Sequence, residues 1–256
     1  MGEAETDARI FVSCLTYELS KRLGVELAAK EFARMCECPE PGDLPCARMV
    51  GRLRQFGALA LYHAAGSCLP KLRSRCAHAA LESGADYWVM LDDDVECESA
   101  TLDRLLAAAG DPLEACIVVL PCRLRGDAGE RDTVNVRFVD AGPVVVGNGG
   151  PIREIIHGGC GCMVVTRGAL QRVSEYYRRE LSWQDDDRCT KVALFEMIRE
   201  LPLPDPKLRP LEQEPEWLGE DLSFCRRVRE TGVPIFALLS GLSFHDGQAL
   251  KLNEIC

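Results

Sequence analysis

Short apolar runs alternate with amphipathic stretches through the first half of the chain. Residues 9–15 (RIFVSCL) read as a strand, and residues 20–37 have helical composition. Residues 38–45 make a Pro- and Gly-rich break, and residues 52–63 read as a second strand with flanking turns. A helix is predicted over residues 70–83, with Pro70 at its start and Gly84 just past its end. The run Tyr87-Trp88-Val89-Met90-Leu91 has the continuous apolar character of a buried parallel strand. A helix over residues 99–109 follows, with Ser99 as cap and Gly110 as stop. Residues 116–121 (CIVVLP) form a further buried strand. This alternation is the pattern of βαβ units and a mostly parallel sheet flanked by helices.

The pattern changes after Pro121. Residues 134–140, 144–146 and 152–156 are short, β-rich and separated by glycines, which predicts a small antiparallel ribbon in the C-terminal half. Residues 162–166 read as a strand, 168–180 as a helix and 234–239 as a strand. Residues 185–188 and the proline-rich 201–215 read as loops. No repeat and no boundary divides the chain, so a single α/β domain over 1–256 is expected.

The Tyr87 run ends in Asp92-Asp93-Asp94. Three adjacent carboxylates repel one another and disfavour strand, so they belong just past the strand's carboxyl end. In open α/β sheets that is where ligands bind. A hard divalent cation, Mg²⁺ or Mn²⁺, would relieve the repulsion; a solvated acidic turn is the plainer reading. The polar run Asp185-Asp186-Asp187 reads as a solvated turn.

Composition narrows the classes. The chain has 256 residues, 47% of them hydrophobic, enough for a sizeable core, and a formal net charge of −10. Such an acidic balance argues against sequence-independent binding to duplex nucleic acid. The apolar runs are too short to span a bilayer, and the polar, acidic first eight residues do not read as a secretory signal. The 14 cysteines are scattered through apolar patterns, which reads as a reducing, cytoplasmic setting. Cys36, Cys38 and Cys46 are the tightest group; a zinc site there lacks an obvious fourth ligand.

A second constellation lies near the C-terminus. Leu222, Cys225 and Val228 recur at helical spacing, which puts Glu220 and Asp221 in a helix's first turn. The helix dipole alone would favour them there. His245 precedes Asp246-Gly247, a turn signal, and an imidazole at a strand end can join carboxylates on Mn²⁺.

Four pieces of the chain, in order, resemble metal-dependent glycosyltransferases of the GT-A fold, most like glycosyltransferase family 2. Residues 84–95 look like the strand and DxD motif. Residues 157–167 (HGGCGCMVVTR) look like the glycine-rich acceptor-side strand that includes Gly161. Residues 219–225 (GEDLSFC) are similar to the Glu-Asp helix start, and residues 244–247 (FHDG) resemble the C-terminal His turn. The resemblance implies a nucleotide-sugar-binding half over about 9–125 and an acceptor-binding half over 126–256. It implies that Asp92, Asp94 and His245 bind Mn²⁺ or Mg²⁺, and that Asp92 and Asp93 lie near the donor's ribose or sugar. It further implies that Thr16 and Tyr17 hold the nucleotide base and that Arg75 faces the donor. Asp221 or Glu220 would act on the acceptor, with Trp217 beside it. The donor would be a nucleotide-diphosphate sugar, UDP-linked, and the acceptor a carbohydrate, lipid or protein.

The first loop, Cys-Leu-Thr-Tyr-Glu, departs from the more usual Pro-containing form, and no Gln-x-x-Arg-Trp motif of processive synthases is present. Two other readings compete. A sugar-phosphate nucleotidyltransferase needs a Gly-rich, basic loop after the first strand, and residues 13–20 contain neither Gly nor Lys or Arg. A non-catalytic binding protein would be expected to have lost an Asp or the His, and all are present.

Overall fold

The computed structural model describes residues 8–15, 25–37, 45–64, 68–122, 134–140, 152–200, 216–240, 242–245 and 248–251. In chain order these form β1 (Ala8–Leu15), α1 (Val25–Glu37), α2 (Pro45–Leu53), a 3-10 turn (Arg54–Phe56), β2 (Gly57–Ala64) and α3 (Leu69–Ser83). Then come β3 (Tyr87–Asp92), β4 (Val95–Cys97), α4 (Ser99–Ala109), β5 (Ile117–Val119), β6 (Val136–Phe138), β7 (Ile152–Gly158), β8 (Cys162–Thr166) and α5 (Arg167–Tyr177). The remainder is β9 (Ser182–Gln184), β10 (Thr190–Val192), β11 (Ile198–Glu200), β12 (Glu216–Leu218), α6 (Glu220–Glu230), β13 (Ile235–Leu238), β14 (Leu242–His245) and β15 (Gln248–Lys251).

Eight strands make one sheet in the order β2-β1-β3-β8-β5-β13-β7-β6. β1 pairs parallel with β2 and β3, and β5 with β13. β8 runs antiparallel between β3 and β5, and β7 antiparallel to β13 and β6. All strands but β8 and β7 therefore point one way, and the sheet is mostly parallel, as expected. The halves drawn at residue 125 share this sheet, because β8 of the second sits between two strands of the first.

The period-two alternation of the central strands splits the core into two layers. Trp88 and Met90 of β3, Met163 and Val165 of β8, and Ile117 and Val119 of β5 pack on one face under α3, α5 and α6. Val89 and Leu91, Cys162 and Val164, and Val118 pack on the other face under α1, α2 and α4. Asp92 has the parity of Trp88 and Met90. It is thereby aimed at the face that carries α3 and α6, a consequence of strand geometry alone. Gly84 ends α3 at φ 64°, where its amide donates to the Leu81 carbonyl, so the chain can turn into β3.

Two local expectations are corrected. The strand expected over 52–63 begins only at Gly57; before it lies α2, whose Cys46, Met49, Val50 and Leu53 are buried at helical spacing, with Pro45 at the start. The residue capping α4 is Glu98, which makes no side-chain cap bond, rather than Ser99. Residues 185–188 form a loop, as expected, and it joins β9 to β10 in an antiparallel ribbon. Further ribbons pair β11 with β12, and β14 with both β15 and β4. Residues 144–146 and 201–215 lie outside the described residues. Among the described residues no helix is long and apolar enough to cross a membrane.

Candidate active site

β3 delivers Asp92 at its carboxyl end, where the Asp92 amide donates to the Gly161 carbonyl at 2.9 Å. Asp93 and Asp94 form the turn into β4, and both are half-buried. Gly161 leaves just enough room: a methyl at its α-carbon would sit 3.1 Å from Val95 Cγ2 and 3.5 Å from Asp92 Oδ2.

The side chain that organises this point is Arg73 of α3. It is 4% exposed. Its Nη2 donates to Asp92 Oδ1 at 3.1 Å, and its Nε lies 3.6 Å from Asp221 Oδ1 and 3.7 Å from Glu220 Oε1. Burial works against the guanidinium's charge. The carboxylate of Asp92, the Cys160 thiol and the carboxylates of Asp221 and Glu220 outweigh it and raise its pKa. Arg73 thus joins Asp92 at the end of β3 to the acidic pair in the first turn of α6.

α6 starts at Glu220 after Gly219, with Glu220 and Asp221 in the turn where the helix dipole favours negative charge. The Cys160 amide, in the turn before β8, donates to Asp221 Oδ2 at 3.2 Å. Asp221 Oδ1 and Arg73 Nε are buried and have no hydrogen-bond partner among the described residues. Among the described residues three carboxylates face one guanidinium here, an excess of two negative charges if all are ionised. The excess shows at Glu220, whose pKa is raised by burial and then by the Asp221 charge.

The linkage has a definite sign. A raised carboxyl pKa means that the folded protein holds the proton more tightly than the unfolded chain. That stabilisation is fully present below the ordinary Glu range and is lost as pH rises through the raised value. Glu220→Gln removes the loss. The variant's melting temperature is expected to gain on the native protein's as pH rises from about 4 to neutrality. A constant difference across that range, measured by thermal denaturation, would refute the strained pair.

Arg75, expected to face the donor, does not reach this cluster. Two residues past Arg73, it lies about 200° around the helix. Its Nε and Nη2 bind Asp185 at 2.6 and 2.5 Å, and Nη2 binds Asp186 at 2.7 Å. The expected solvated turn holds for Asp186 and Asp187, which are exposed, but not for Asp185. Its side chain is 3% exposed and is also bound by Lys191 at 3.1 Å. The hydrogen bond from Arg75 holds its carboxyl well below the usual range. The sequence does carry a signal for Arg73: with Cys76, Ala77 and Ala80 it falls at i, i+3, i+4 and i+7, the buried stripe of α3. A charged residue on that stripe requires buried partners.

His245 closes β14, and its backbone pairs with Val95, one residue past Asp94. Register alone therefore brings the His to the acidic turn. Thr16 and Tyr17 lie outside the described residues. Trp217, in β12, is 60% exposed, and the Arg199 guanidinium lies 5.9 Å from its ring.

Among the described residues no group of three His, Cys, Asp or Glu side chains is placed to hold a metal. Cys36 and Cys46 are buried in the core with Cys14, and Cys38 lies outside the described residues. The described cysteines form no disulfide, and most are buried. Burial raises Cys97, Cys122 and Cys225 to about 12, so these thiols are not poised as nucleophiles.

A cavity of about 890 Å³ lies against α3, lined by none of Arg73, Asp92, Glu220 and Asp221. Pro70, Lys71 and Ser74 of α3 form one wall, and Trp183, Met197 and Trp217 line the ribbon side.

No family model and no curated protein matches the sequence. Solved structures to which the chain is similar include A197 from STIV, at 13% identity and a TM-score of 0.46, covering 97% of this chain and 96% of that one. S. aureus TarS 1–349 matches at 13% identity and a TM-score of 0.40, covering 90% of this chain and 58% of that one. Mannose-1-phosphate geranyltransferase from Thermus thermophilus matches at 15% identity and a TM-score of 0.28, covering 68% of this chain and 54% of that one. The chain thus spans little more than half of the last two. Likenesses at this level transfer no activity to this chain.

Proposed function

We propose that this protein is a metal-dependent glycosyltransferase of the GT-A type. It would move a sugar from a nucleotide-diphosphate donor, UDP-linked, to an acceptor hydroxyl. The observation that carries the reading is the buried Arg73, which ties Asp92 at the end of β3 to Glu220 and Asp221 at the start of α6. Two acidic stations, far apart in sequence, meet on one guanidinium at the carboxyl end of β3, the end of an open α/β sheet where ligands bind.

The residue types are those that a divalent cation takes: the acidic turn offers hard oxygen donors, and the backbone of His245 pairs opposite Val95, the residue after Asp94. Asp94 and His245 would hold Mn²⁺ or Mg²⁺, with Asp92 beside them in the grip of Arg73. Such a cation supplies Lewis-acid stabilisation of a diphosphate leaving group and lets an acidic protein accept an anionic donor.

The chain's own groups divide the remaining work. Asp221 is held through Oδ2 by the Cys160 amide and through Oδ1 by the ion pair with Arg73, and its carboxylate would take the proton of an acceptor hydroxyl in an inverting transfer. Glu220, with its raised pKa, holds its proton to higher pH than an ordinary Glu and positions the acceptor. Gly161 keeps the floor beside Asp92 open. Thr16 and Tyr17 are assigned to the base, and Asp93 to the donor's ribose.

A thermal-shift series with nucleoside diphosphates, with and without Mn²⁺, tests this directly. UDP is expected to raise the melting temperature only when Mn²⁺ is present. A shift produced instead by nucleoside triphosphate with sugar phosphate would transfer the chain to the nucleotidyltransferases. Asp94→Ala is expected to weaken metal-dependent UDP binding by about 100-fold, a ligand's loss being at least as costly as an outer-shell partner's. Unchanged calorimetric affinity in that variant would remove Asp94 from the metal site.

A further inference from the structure

We infer that the acceptor is a carbohydrate and that it lies in the cavity between Trp183 and Trp217. This rests on the glycosyltransferase reading and adds the acceptor's chemical class. The cavity reaches the start of α6 along one wall, where Trp217 precedes Glu220 by three residues; on α3 its lining residue Lys71 lies about 200° around the helix from Arg73. A molecule resting on Trp217 therefore has the start of α6 beside it. At about 890 Å³ the space lies within the usual range of ligand sites, roughly 300–1,000 Å³, and admits more than one sugar ring.

The lining has two kinds of surface. The first is aromatic and apolar: Trp217 is 60% exposed and Met197 41% exposed, both facing water in this region. The second is polar. Lys71, Glu180 and Glu196 line the cavity. The Trp183 indole N–H is buried and has no acceptor among the described residues, while the Lys71 ammonium lies 5.1 Å from the centre of its ring. A buried donor of this kind calls for a partner oxygen. A sugar meets both demands: its C–H face covers an indole, and its hydroxyls accept from the Trp183 N–H and bond to the charged rim. An alkyl chain would cover the indoles but desolvate the ammonium, the carboxylates and the indole N–H without replacing their hydrogen bonds.

The test uses the full chain labelled with ¹⁵N, whose three tryptophans give separable indole signals. Maltotetraose, cellotetraose, chitotetraose and mannotetraose are titrated separately, with decanoate as the alkyl probe. At least one tetrasaccharide is expected to move the Trp183 and Trp217 signals saturably and to leave the core Trp88 signal in place. Trp217→Ala is expected to weaken that binding about tenfold, the worth of one aromatic stack. Because Trp217 is mostly exposed, the variant should keep its fold, which its melting temperature checks. No response to any of the four sugars, or a response to decanoate alone, overturns the proposal. The UDP and Mn²⁺ thermal shift is read on the same samples. If that shift is present and no sugar binds, the carbohydrate assignment falls by itself. If sugar binds and the shift is absent, the glycosyltransferase reading falls and the cavity assignment loses its link to transfer.

Discussion

Arg73→Met is expected to lower stability by about 3 kcal/mol near neutral pH and to abolish transfer. Methionine keeps most of the side chain's volume, so the loss isolates the guanidinium. Arg73 is 4% exposed, and removing one partner of a buried charge cluster typically costs about 3–5 kcal/mol because the remaining charges stay buried and unpaired. The lower figure applies because Asp92, Glu220 and Asp221 keep side-chain exposures of 31%, 20% and 25%. Urea denaturation reads the effect. The cost should shrink in acid, where the carboxylates become protonated and no longer need a cation. Arg73→Lys is expected to recover part of the stability but little activity, since an ammonium lacks the planar fork that spans Asp92 and the α6 pair. Native stability in Arg73→Met would show that the three carboxylates do not depend on this guanidinium.

Asp221→Asn should leave UDP and Mn²⁺ binding within about twofold of native and lower the transfer rate by about 10²–10⁴, the usual worth of a positioned base. The amide is isosteric and can still accept from the Cys160 amide, so the first turn of α6 stays in place. What is lost is a lone pair basic enough to take a hydroxyl proton. A steady-state comparison separates the two effects: kcat falls while donor binding holds. Full activity in Asp221→Asn would move the proton transfer elsewhere, with Glu220 the next group to replace.

Much of this arrangement is legible in local pattern. The apolar run ending at Leu91 announces a central strand, and Asp92 ends it. The spacing of Leu222, Cys225 and Val228 announces α6, which begins at Glu220. Residues 162–166 form β8 as read. These succeed because burial on one or both faces imposes a period that the residues themselves carry. Residues 52–56, Arg-Leu-Arg-Gln-Phe, read as strand but end α2 and form the 3-10 turn. So short a run carries no decisive period, and the burial of Met49, Val50 and Leu53 in the core decides for helix.

The identity of the basic partner is not settled locally. Arg73 and Arg75 are two residues apart on one helix, and both carry the same charge. Which of them meets Asp92 depends on how α3 rolls onto the sheet, and that follows from the packing of Leu72, Cys76 and Ala80 against Trp88 and its neighbours. Asp185 is a parallel case. In the chain it is one of three acidic residues in a polar stretch; the β9–β10 ribbon folds Lys191 back onto it, and only the approach of α3 adds Arg75.

By itself, then, the chain determined most of its element types, the parity that aims Asp92 at one face, and the two acidic stations, because these depend on neighbours within a few residues. Only the tertiary structure decided that β8 lies antiparallel between β3 and β5, that Arg73 joins Asp92 to Glu220 and Asp221, and that His245 pairs opposite Val95. Those contacts link residues far apart in sequence, and their geometry is set by how whole layers pack, a cooperative outcome that no local period encodes.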